Sequence, residues 1–347
     1  MTPTPEELAR EQIDARFRES GWAVQDRDGV DLTEARGVAV REMKMKSGHG
    51  FVDYLLFVDG NAVGVFEAKP DGHTLSGVDH QAHKYSTGLP DWINAPIRPL
   101  PFVYVGTGAI TRLTNLLDPD PRSRRIFQIQ RPETLAEWVA AESLAGPASE
   151  QVAEGPPSSL RGRIQTMPPL NIGNLWPNKI KAISNLEQSL CEGRPRSLIQ
   201  MATGSGKTLT AITSIYRLIK FGGARRVLFL VDRTNLGQQA EKEFQSYRTP
   251  DDNRKFTDLY NVQRLAGGTI GSSTKVVIST IQRLYSMLTG NELDPDDEEE
   301  SQFESGGPGK EPLPVSYNPT LPPEYWMPHC ARLLSLPNAG LDRSNRA

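Results

Sequence analysis

The amino-acid sequence predicts an α/β protein built from two parts. In the first part, apolar strand-like segments flank a short turn within residues 51–69. In the second part, apolar runs alternate with helical patterns, which is typical of a parallel sheet with helices on both faces. Residues 145–169, between the two, are rich in Pro, Gly, Ser and Glu without apolar periodicity, which predicts a linker.

The bulk composition indicates a globular protein. A length of 347 residues favours about two domains. The content of 37% hydrophobic and 23% charged residues is typical of folded rather than disordered chains. The formal net charge of -3 gives no sign of nucleic-acid binding, although a local basic groove is compatible with it.

Cysteine usage and the N-terminal sequence predict a cytoplasmic protein. Cys191 and Cys330 are widely separated, so they predict neither a disulfide framework nor a zinc cluster. The first residues, MTPTPEELAREQ, are acidic and polar, unlike a signal peptide. Apolar runs fall short of the roughly 18 residues that cross a bilayer, so no membrane partner is expected.

The first part begins with a predicted helix over residues 6–21. Leu8, Ile13 and Phe17 have roughly helical spacing, and Gly21 ends the pattern. Tryptophans in this part are expected to pack in the core or at its edge rather than to stack on bases: Trp22, Trp92 and Trp138.

A hairpin follows the helix. Its predicted strands are FVDYLLFV at 51–58 and AVGVFEAK at 62–69, and the residues Asp-Gly-Asn at 59–61 form the turn between them. A helix is expected around 77–86, and PFVYVG at 101–106 predicts another buried strand.

The second part alternates strands with helices. The predicted elements, in order, are a strand at 197–201, a helix at 207–221, a strand at 226–232, a helix at 235–247 and a strand at 275–280. The sequence beyond Asn291 is acidic and rich in helix-breaking residues, and its acidic run at 296–300 predicts a solvated loop.

A glycine-rich segment, ATGSGKT at 202–208, lies between the first predicted strand and helix of the second part. In that context, backbone N–H groups and the helix dipole bind phosphate, Lys207 reaches the β- and γ-phosphates, and the Thr208 hydroxyl binds Mg²⁺. The alternative is a glycine-rich turn before an ordinary helix. The predicted nucleotide-binding residues are Thr203, Gly204, Ser205, Gly206, Lys207 and Thr208.

A metal-dependent nuclease site is predicted on the hairpin. Asp53 lies in its first strand, and the triplet Glu67-Ala68-Lys69 ends its second strand. The two carboxylates can share a hard divalent cation through oxygen ligands. Lys69, two residues beyond Glu67, faces the same side and can orient water or stabilise charge on a phosphate. The alternative is a surface ion pair at the end of a strand.

These residues resemble the motif of the PD-(D/E)xK nucleases. Gln81 and Tyr85, in QAHKY, are similar to the Gln-x-x-x-Tyr motif of the RecB-like branch, and one helical turn separates them. The resemblance implies that both act at the site, and it makes Glu19 a candidate for the acidic residue of the first helix. The histidines of this region lack regular ligand spacing and are expected to face solvent: His73, His80 and His83.

Three segments of the second part form a recognisable set: ATGSGKT, VDR at 231–233 with Leu236 and Gln239, and ISTIQ at 278–282. Together they resemble the first motifs of the superfamily-2 helicases. The resemblance implies a first RecA-like domain whose ATP site these segments line. Lys179, in LWPNKIKAI, occupies the position where that family usually has an adenine-reading glutamine, so bidentate readout of adenine is not expected there.

The order of nuclease then motor is similar to the restriction (R) subunit of type I restriction-modification enzymes. The resemblance covers roughly residues 4–325. It implies double-stranded DNA as substrate, ATP and Mg²⁺ as cofactors, and the methylase and specificity subunits as partners. The expected domains are a nuclease domain at 1–144, the linker at 145–169, an incomplete RecA-like domain at 170–325 and an aberrant tail at 326–347.

The sequence after Tyr325 departs from that family. An apolar strand with an Asp-Glu pair is expected there, and WMPHCARLLSLPNAGLDRSNRA has no acidic pair. We therefore expect a chain that binds nucleotide without translocating. The alternatives are a free-standing Mg²⁺-dependent nuclease, a non-catalytic remnant that binds DNA or the methylase core, and a fragment of a superfamily-2 repair helicase.

Overall fold

The structure is a computed structural model that divides into two compact units, Met1–Gly162 and Arg163–Ala347. The division falls within the segment for which a linker is predicted, where a short helix, Leu160–Gln165, is present. The proposed extents of the domains stay predictions. The described residues are 5–70, 84–118, 121–145, 160–173, 175–194, 196–290 and 317–326.

The first unit contains a seven-stranded sheet whose strands follow one another in chain order. The strands are β1 (Ala23–Asp26), β2 (Gly37–Lys44), β3 (Phe51–Val58), β4 (Asn61–Ala68), β5 (Phe102–Gly106), β6 (Thr111–Asn115) and β7 (Arg124–Ile126). Helices Pro5–Glu19 and Pro132–Ala145 belong to the same unit. The pairs β1–β2 and β4–β5 are parallel and the other pairs are antiparallel, so the sheet is mixed.

The predicted hairpin is confirmed as β3 and β4. Its two-residue turn places Asp59 at φ 48 and Gly60 at φ 76, which is the positive-φ geometry that matches the twist of paired strands. Asn61 begins β4 rather than lying in the turn, and its side-chain amide donates to the Asp59 carbonyl at 2.9 Å. Because side chains alternate along each strand, the hairpin contributes to an apolar cluster on each face of the sheet.

The first helix is confirmed, but its buried face differs from the predicted one. Ile13 and Phe17 are fully buried, whereas Leu8 is 43% exposed and Ala9 takes its place in the core. Ala9, Ile13 and Phe17 follow one another at four-residue intervals, so they lie on one face of the helix.

Two of the three predictions for tryptophans are confirmed and one is wrong. Trp22 is buried, and Trp138 packs against Phe102 with its ring centroid at 5.6 Å. The prediction for Trp92 is wrong, because 78% of that residue is exposed. Cys191 forms no disulfide bond within the described residues, and Cys330 lies outside them.

The second unit contains a parallel three-stranded sheet in the order β8-β10-β9, which confirms the predicted parallel arrangement. Its strands are β8 (Val227–Val231), β9 (Asn261–Arg264) and β10 (Thr274–Thr280). Its helices after the boundary are Pro177–Cys191, Lys207–Lys220, Thr234–Ser246, Phe256–Leu259 and Ile281–Thr289, with a 3₁₀ turn at Pro323–Tyr325. Across the described ranges, helices long and apolar enough to cross a membrane are absent.

One predicted strand of the second unit is not formed. Residues 197–201 have no regular secondary structure, and Leu198 is 81% exposed. A strand needs a neighbour to bond its N–H and C=O groups, and no strand of the described chain pairs with this segment. Most of the predicted helix at 77–86 lies outside the described residues, but residues 84–87 are helical. The acidic run at 296–300 lies wholly outside them.

Candidate functional site

The predicted nuclease residues are brought together at one end of the β3–β4 hairpin. Tyr54 pairs with Phe66 in the antiparallel register, so the adjacent Asp53 and Glu67 lie beside each other. The Asp53 carboxylate accepts a 2.7 Å hydrogen bond from the backbone N–H of Ala68. This bond joins the Asp53 side chain on β3 to the middle residue of the Glu67-Ala68-Lys69 triplet.

Lys69 completes this group. Its ammonium donates to Glu67 Oε1 at 2.7 Å, and its backbone N–H donates to the Gly106 carbonyl at 2.8 Å. The second bond continues the β4–β5 pairing past the end of the strand. The Lys69 side chain is therefore fixed at both its backbone and its charged end.

Burial governs the protonation of the two carboxyl groups. Burial, and after it the neighbouring charge of Asp53, raise the pKa of Glu67 to about 7, against the opposing effect of Lys69. Burial also raises the pKa of Asp53, while the Ala68 N–H and the Lys69 charge oppose the shift. Burial alone would lower the pKa of Lys69, but its bond to Glu67 and the charges of both carboxylates raise it.

One carboxylate oxygen at this site is unsatisfied. Glu67 Oε2 is buried and accepts no hydrogen bond in the described part of the chain. A buried oxygen without a donor is costly, and two adjacent carboxylates with a free oxygen are typical ligands for a hard divalent cation. The described ranges contain no group of three or more His, Cys, Asp or Glu that could hold a metal. The two carboxylates of Asp53 and Glu67 could still hold Mg²⁺, because this ion takes oxygen ligands and commonly keeps several waters.

Tyr85 lies near this group and Glu19 does not join it. Tyr85 is buried in the apolar cluster on one sheet face, and its phenol contributes to the raised pKa of Lys69. Glu19 is the last residue of the first helix, and its carboxylate accepts a 3.1 Å hydrogen bond from the Gln128 side chain. Gln81 and the three histidines His73, His80 and His83 lie outside the described residues.

Sequence reasoning missed a buried acid next to the site. Asp14, on the first helix, accepts a 2.9 Å hydrogen bond from the Tyr54 hydroxyl and is paired with Arg41. Tyr54 directly follows Asp53 on β3, so this network supports the strand from the opposite face of the sheet. The available signal was the position of Asp14, which falls beside Ile13 on the buried side of the helix.

The glycine-rich loop has the backbone geometry that its sequence predicts. Gly204 and Gly206 have φ values of 77 and 85, which strain residues other than glycine. Gly206 caps the helix Lys207–Lys220, whose second residue is Thr208. The Ser205 hydroxyl donates to the Ala202 carbonyl at 2.6 Å, and the Lys207 ammonium donates to the Met201 carbonyl at 3.3 Å.

The other helicase-like segments meet at one edge of the parallel sheet. Val231 at the end of β8 pairs with Thr280 at the end of β10, so VDR and ISTIQ are neighbours. The Thr280 hydroxyl caps the following helix by accepting from the Arg283 N–H at 3.1 Å. Carboxyl ends of parallel strands are where ligands bind in open α/β sheets.

Two family models match the chain. Residues 173–305 match "Type III restriction enzyme, res subunit". Residues 23–95 match "Type I restriction enzyme EcoKI endonuclease subunit second domain". The first match includes the glycine-rich loop, and the second includes Asp53, Glu67 and Lys69.

Individual proteins show the same similarity. The EcoKI type I endonuclease subunit of Escherichia coli (strain K12) is 27% identical over 80% of this chain and 27% of its own length. The EcoAI subunit of Escherichia coli is 32% identical over 33% of this chain and 13% of its own length. A solved fragment of an HsdR subunit from Vibrio vulnificus YJ016 is 18% identical and covers 84% of this chain and 49% of its own. Its TM-score against this chain is 0.30.

Proposed function

We propose that this chain, which is related to the endonuclease subunits of type I restriction enzymes, cleaves double-stranded DNA and binds ATP. The relationship is the one that the motifs predict, and the matches to the EcoKI and EcoAI subunits confirm it. The chain spans 27% of the length of the EcoKI subunit. The activities of the whole relative are therefore proposals for this chain.

The pairing of Asp53 with Glu67 is the observation that supports cleavage. Both carboxyl groups are held side by side, and Glu67 Oε2 has no hydrogen-bond donor within the described ranges. These two residues would hold Mg²⁺. The ion would supply Lewis-acid activation of a phosphodiester and of its attacking water.

The residues of the chain have distinct tasks in that reaction. Lys69, held by Glu67 at 2.7 Å, presents an ammonium group that can donate to a phosphate oxygen and stabilise its developing charge. The Ala68 N–H orients Asp53 at 2.7 Å. Tyr85 is buried in the core beneath the sheet, and its phenol contributes to the raised pKa of Lys69.

Nicking of supercoiled plasmid in Mg²⁺ tests the proposal. The unaltered chain should nick the plasmid, Asp53→Ala should reduce the rate by at least about 100-fold, and EDTA should abolish the reaction. Asp28→Ala is the matched control. It removes the same charge as Asp53→Ala, but from a side chain that is 95% exposed. Nicking that survives Asp53→Ala would exclude this site.

The nucleotide site rests on the loop at 202–208. Its left-handed glycines turn the backbone at the N-terminus of a helix, which is the arrangement that binds phosphate. Thr208 would bind the Mg²⁺ that accompanies ATP. Equilibrium binding of ATP should disappear in Lys207→Ala, and unchanged binding in that variant would reject the site.

The methylase and specificity subunits are the proposed protein partners. This proposal is supported by the names of the relatives, which are described as endonuclease subunits of type I enzymes. Co-purification of the chain with a methylase–specificity core tests it, and failure of the components to associate at micromolar concentration would argue against it.

A further inference from the structure

A lysine from a neighbouring helix lies directly over the glycine-rich loop. Lys179 belongs to the first turn of the helix Pro177–Cys191. A Cβ atom built on Gly206 would lie 2.7 Å from Lys179 Cε and 3.0 Å from Lys179 Nζ. The ammonium group therefore sits against the backbone of the last glycine in the loop, where the helix Lys207–Lys220 begins.

The ammonium of Lys179 has no carboxylate partner among the described residues. Its aromatic neighbour is Trp176, whose ring centroid lies 5.8 Å from Nζ. Lys207 contributes a second ammonium to the same loop, and the helix N-terminus adds partial positive charge. A loop that gathers like charges in this way is stabilised by a polyanion, because a bound phosphate chain neutralises them together.

We propose that Lys179 is a phosphate ligand, and that the site consequently recognises the triphosphate rather than the base. The inference rests on the proposed nucleotide site and extends it to the class of ligand. A lysine ammonium carries donors and no acceptor, whereas the paired readout of adenine requires a donor and an acceptor on one amide. Nucleoside triphosphates with either purine base should therefore bind alike.

The surroundings of Lys179 agree with a base-tolerant site. Trp176 is 69% exposed and adjoins Lys179, so its ring is accessible beside the loop. Stacking on an aromatic ring accepts any base, because every base has a π face. Lys179 would then bind the phosphates while Trp176 supports whichever base is attached.

Competition binding of ATP and GTP to the full chain in Mg²⁺ tests this inference. The unaltered chain should bind the two nucleotides within about threefold of each other. Lys179→Ala should weaken both by the same factor, about tenfold, because a charge-assisted hydrogen bond is lost. Lys181→Ala is the matched control, since Lys181 is an exposed lysine of the same helix, and its affinities should not change.

A third variant separates phosphate binding from base readout. Lys179→Gln introduces an amide, which carries both a donor and an acceptor. It should therefore make ATP bind more tightly than GTP. Preference of the unaltered chain for ATP by more than tenfold, or loss of ATP affinity alone in Lys179→Ala, would overturn the inference. Thermal unfolding of each variant shows whether the fold is retained.

The controls distinguish two kinds of failure. If the unaltered chain binds neither nucleotide, or if Lys207→Ala binds both normally, the proposed nucleotide site fails and this inference fails with it. If Lys207→Ala abolishes binding and Lys179→Ala leaves it unchanged, the nucleotide site stands and the role of Lys179 is rejected.

Discussion

Asp53 accepts a 2.7 Å hydrogen bond from the backbone N–H of Ala68, across the end of the β3–β4 hairpin. A side-chain carboxylate thus takes the place of a ladder carbonyl at this position. Because Glu67 and Lys69 flank Ala68 in sequence, this hydrogen bond holds Asp53 beside both of them. The hydrogen bond that ends the β3–β4 pairing therefore also positions Asp53 in the candidate site.

The two functions of Asp53 can be separated by substitution. Asp53→Asn keeps an oxygen that accepts from the Ala68 N–H and removes the charge, whereas Asp53→Ala removes both. We expect Asp53→Ala to unfold more easily than Asp53→Asn by about 1–3 kcal/mol, the cost of an unpaired buried N–H. Both variants should lose Mg²⁺-dependent nicking. Urea unfolding in EDTA and plasmid nicking provide the measurements, and an active Asp53→Asn would contradict the metal-ligand role.

Glu67 should make stability depend on pH in the absence of metal. Its folded-state pKa is raised from 4.5 to about 7, so the folded chain holds this proton more tightly than the unfolded chain does. The resulting stabilisation is complete below pH 4.5 and is lost as pH rises through about 7. Asp53, whose pKa is also raised, contributes with the same sign.

Glu67→Gln tests this dependence because it removes the titrating group. The free energy of unfolding of the variant relative to the unaltered chain should be lowest at acidic pH and should increase until about pH 7. Urea unfolding in EDTA between about pH 4 and 8 measures the difference. Two curves that run parallel across this range would show that the pKa of Glu67 is not raised.

The buried Asp14 network predicts an unequal pair of variants. Asp14→Ala leaves the Tyr54 hydroxyl unpaired and removes one of the two carboxylates that pair with Arg41, the other being Asp26 at 2.7 Å. We expect a loss of about 3 kcal/mol, since the buried Tyr54 hydroxyl loses its acceptor and Arg41 loses its buried carboxylate partner. Tyr54→Phe should cost only about 1 kcal/mol.

A double-variant cycle then checks that the two residues interact. Because both single changes break the Asp14–Tyr54 bond, the combined loss should be smaller than the sum of the separate losses. Additive losses would show that Asp14 and Tyr54 stabilise the fold independently.

The parts of the fold that were predictable are those with local signals. The hairpin follows from two apolar runs around an Asp-Gly turn, and the parallel sheet of the second unit follows from strands that alternate with helices. Strands β1, β2, β6 and β7 carry no comparable apolar run beside a turn. Their pairing depends on contacts between residues distant in sequence. Residues 197–201 show the reverse case, an apolar run without a described neighbour to pair with.

The same distinction applies to the candidate site. A two-residue turn makes Asp53 and Glu67 neighbours, so their proximity could be read from spacing. The raised pKa of Glu67 could not, because it arises from burial by the whole sheet. Lys179 illustrates a further limit, since only the folded chain brings it to Gly206.

Gly64 provides the last prediction, because its lack of a side chain sets the distance between β4 and β5. Gly64 pairs with Phe102, and a Cβ atom there would lie 2.6 Å from the Phe102 carbonyl oxygen. Gly64→Ala must separate the strands, which we expect to cost about 1–3 kcal/mol. Lys69 bonds to Gly106 farther along the same strand pair, so nicking should fall as well.

Gly267→Ala is the matched control, since its added methyl group would meet nothing within 4 Å. Its stability and nicking rate should equal those of the unaltered chain, and both are measured by urea unfolding and plasmid cleavage. If Gly64→Ala were as stable and active as this control, the β4–β5 spacing would not be what positions Glu67 and Lys69. The site would then depend on the hairpin alone, through the Asp53–Ala68 bond.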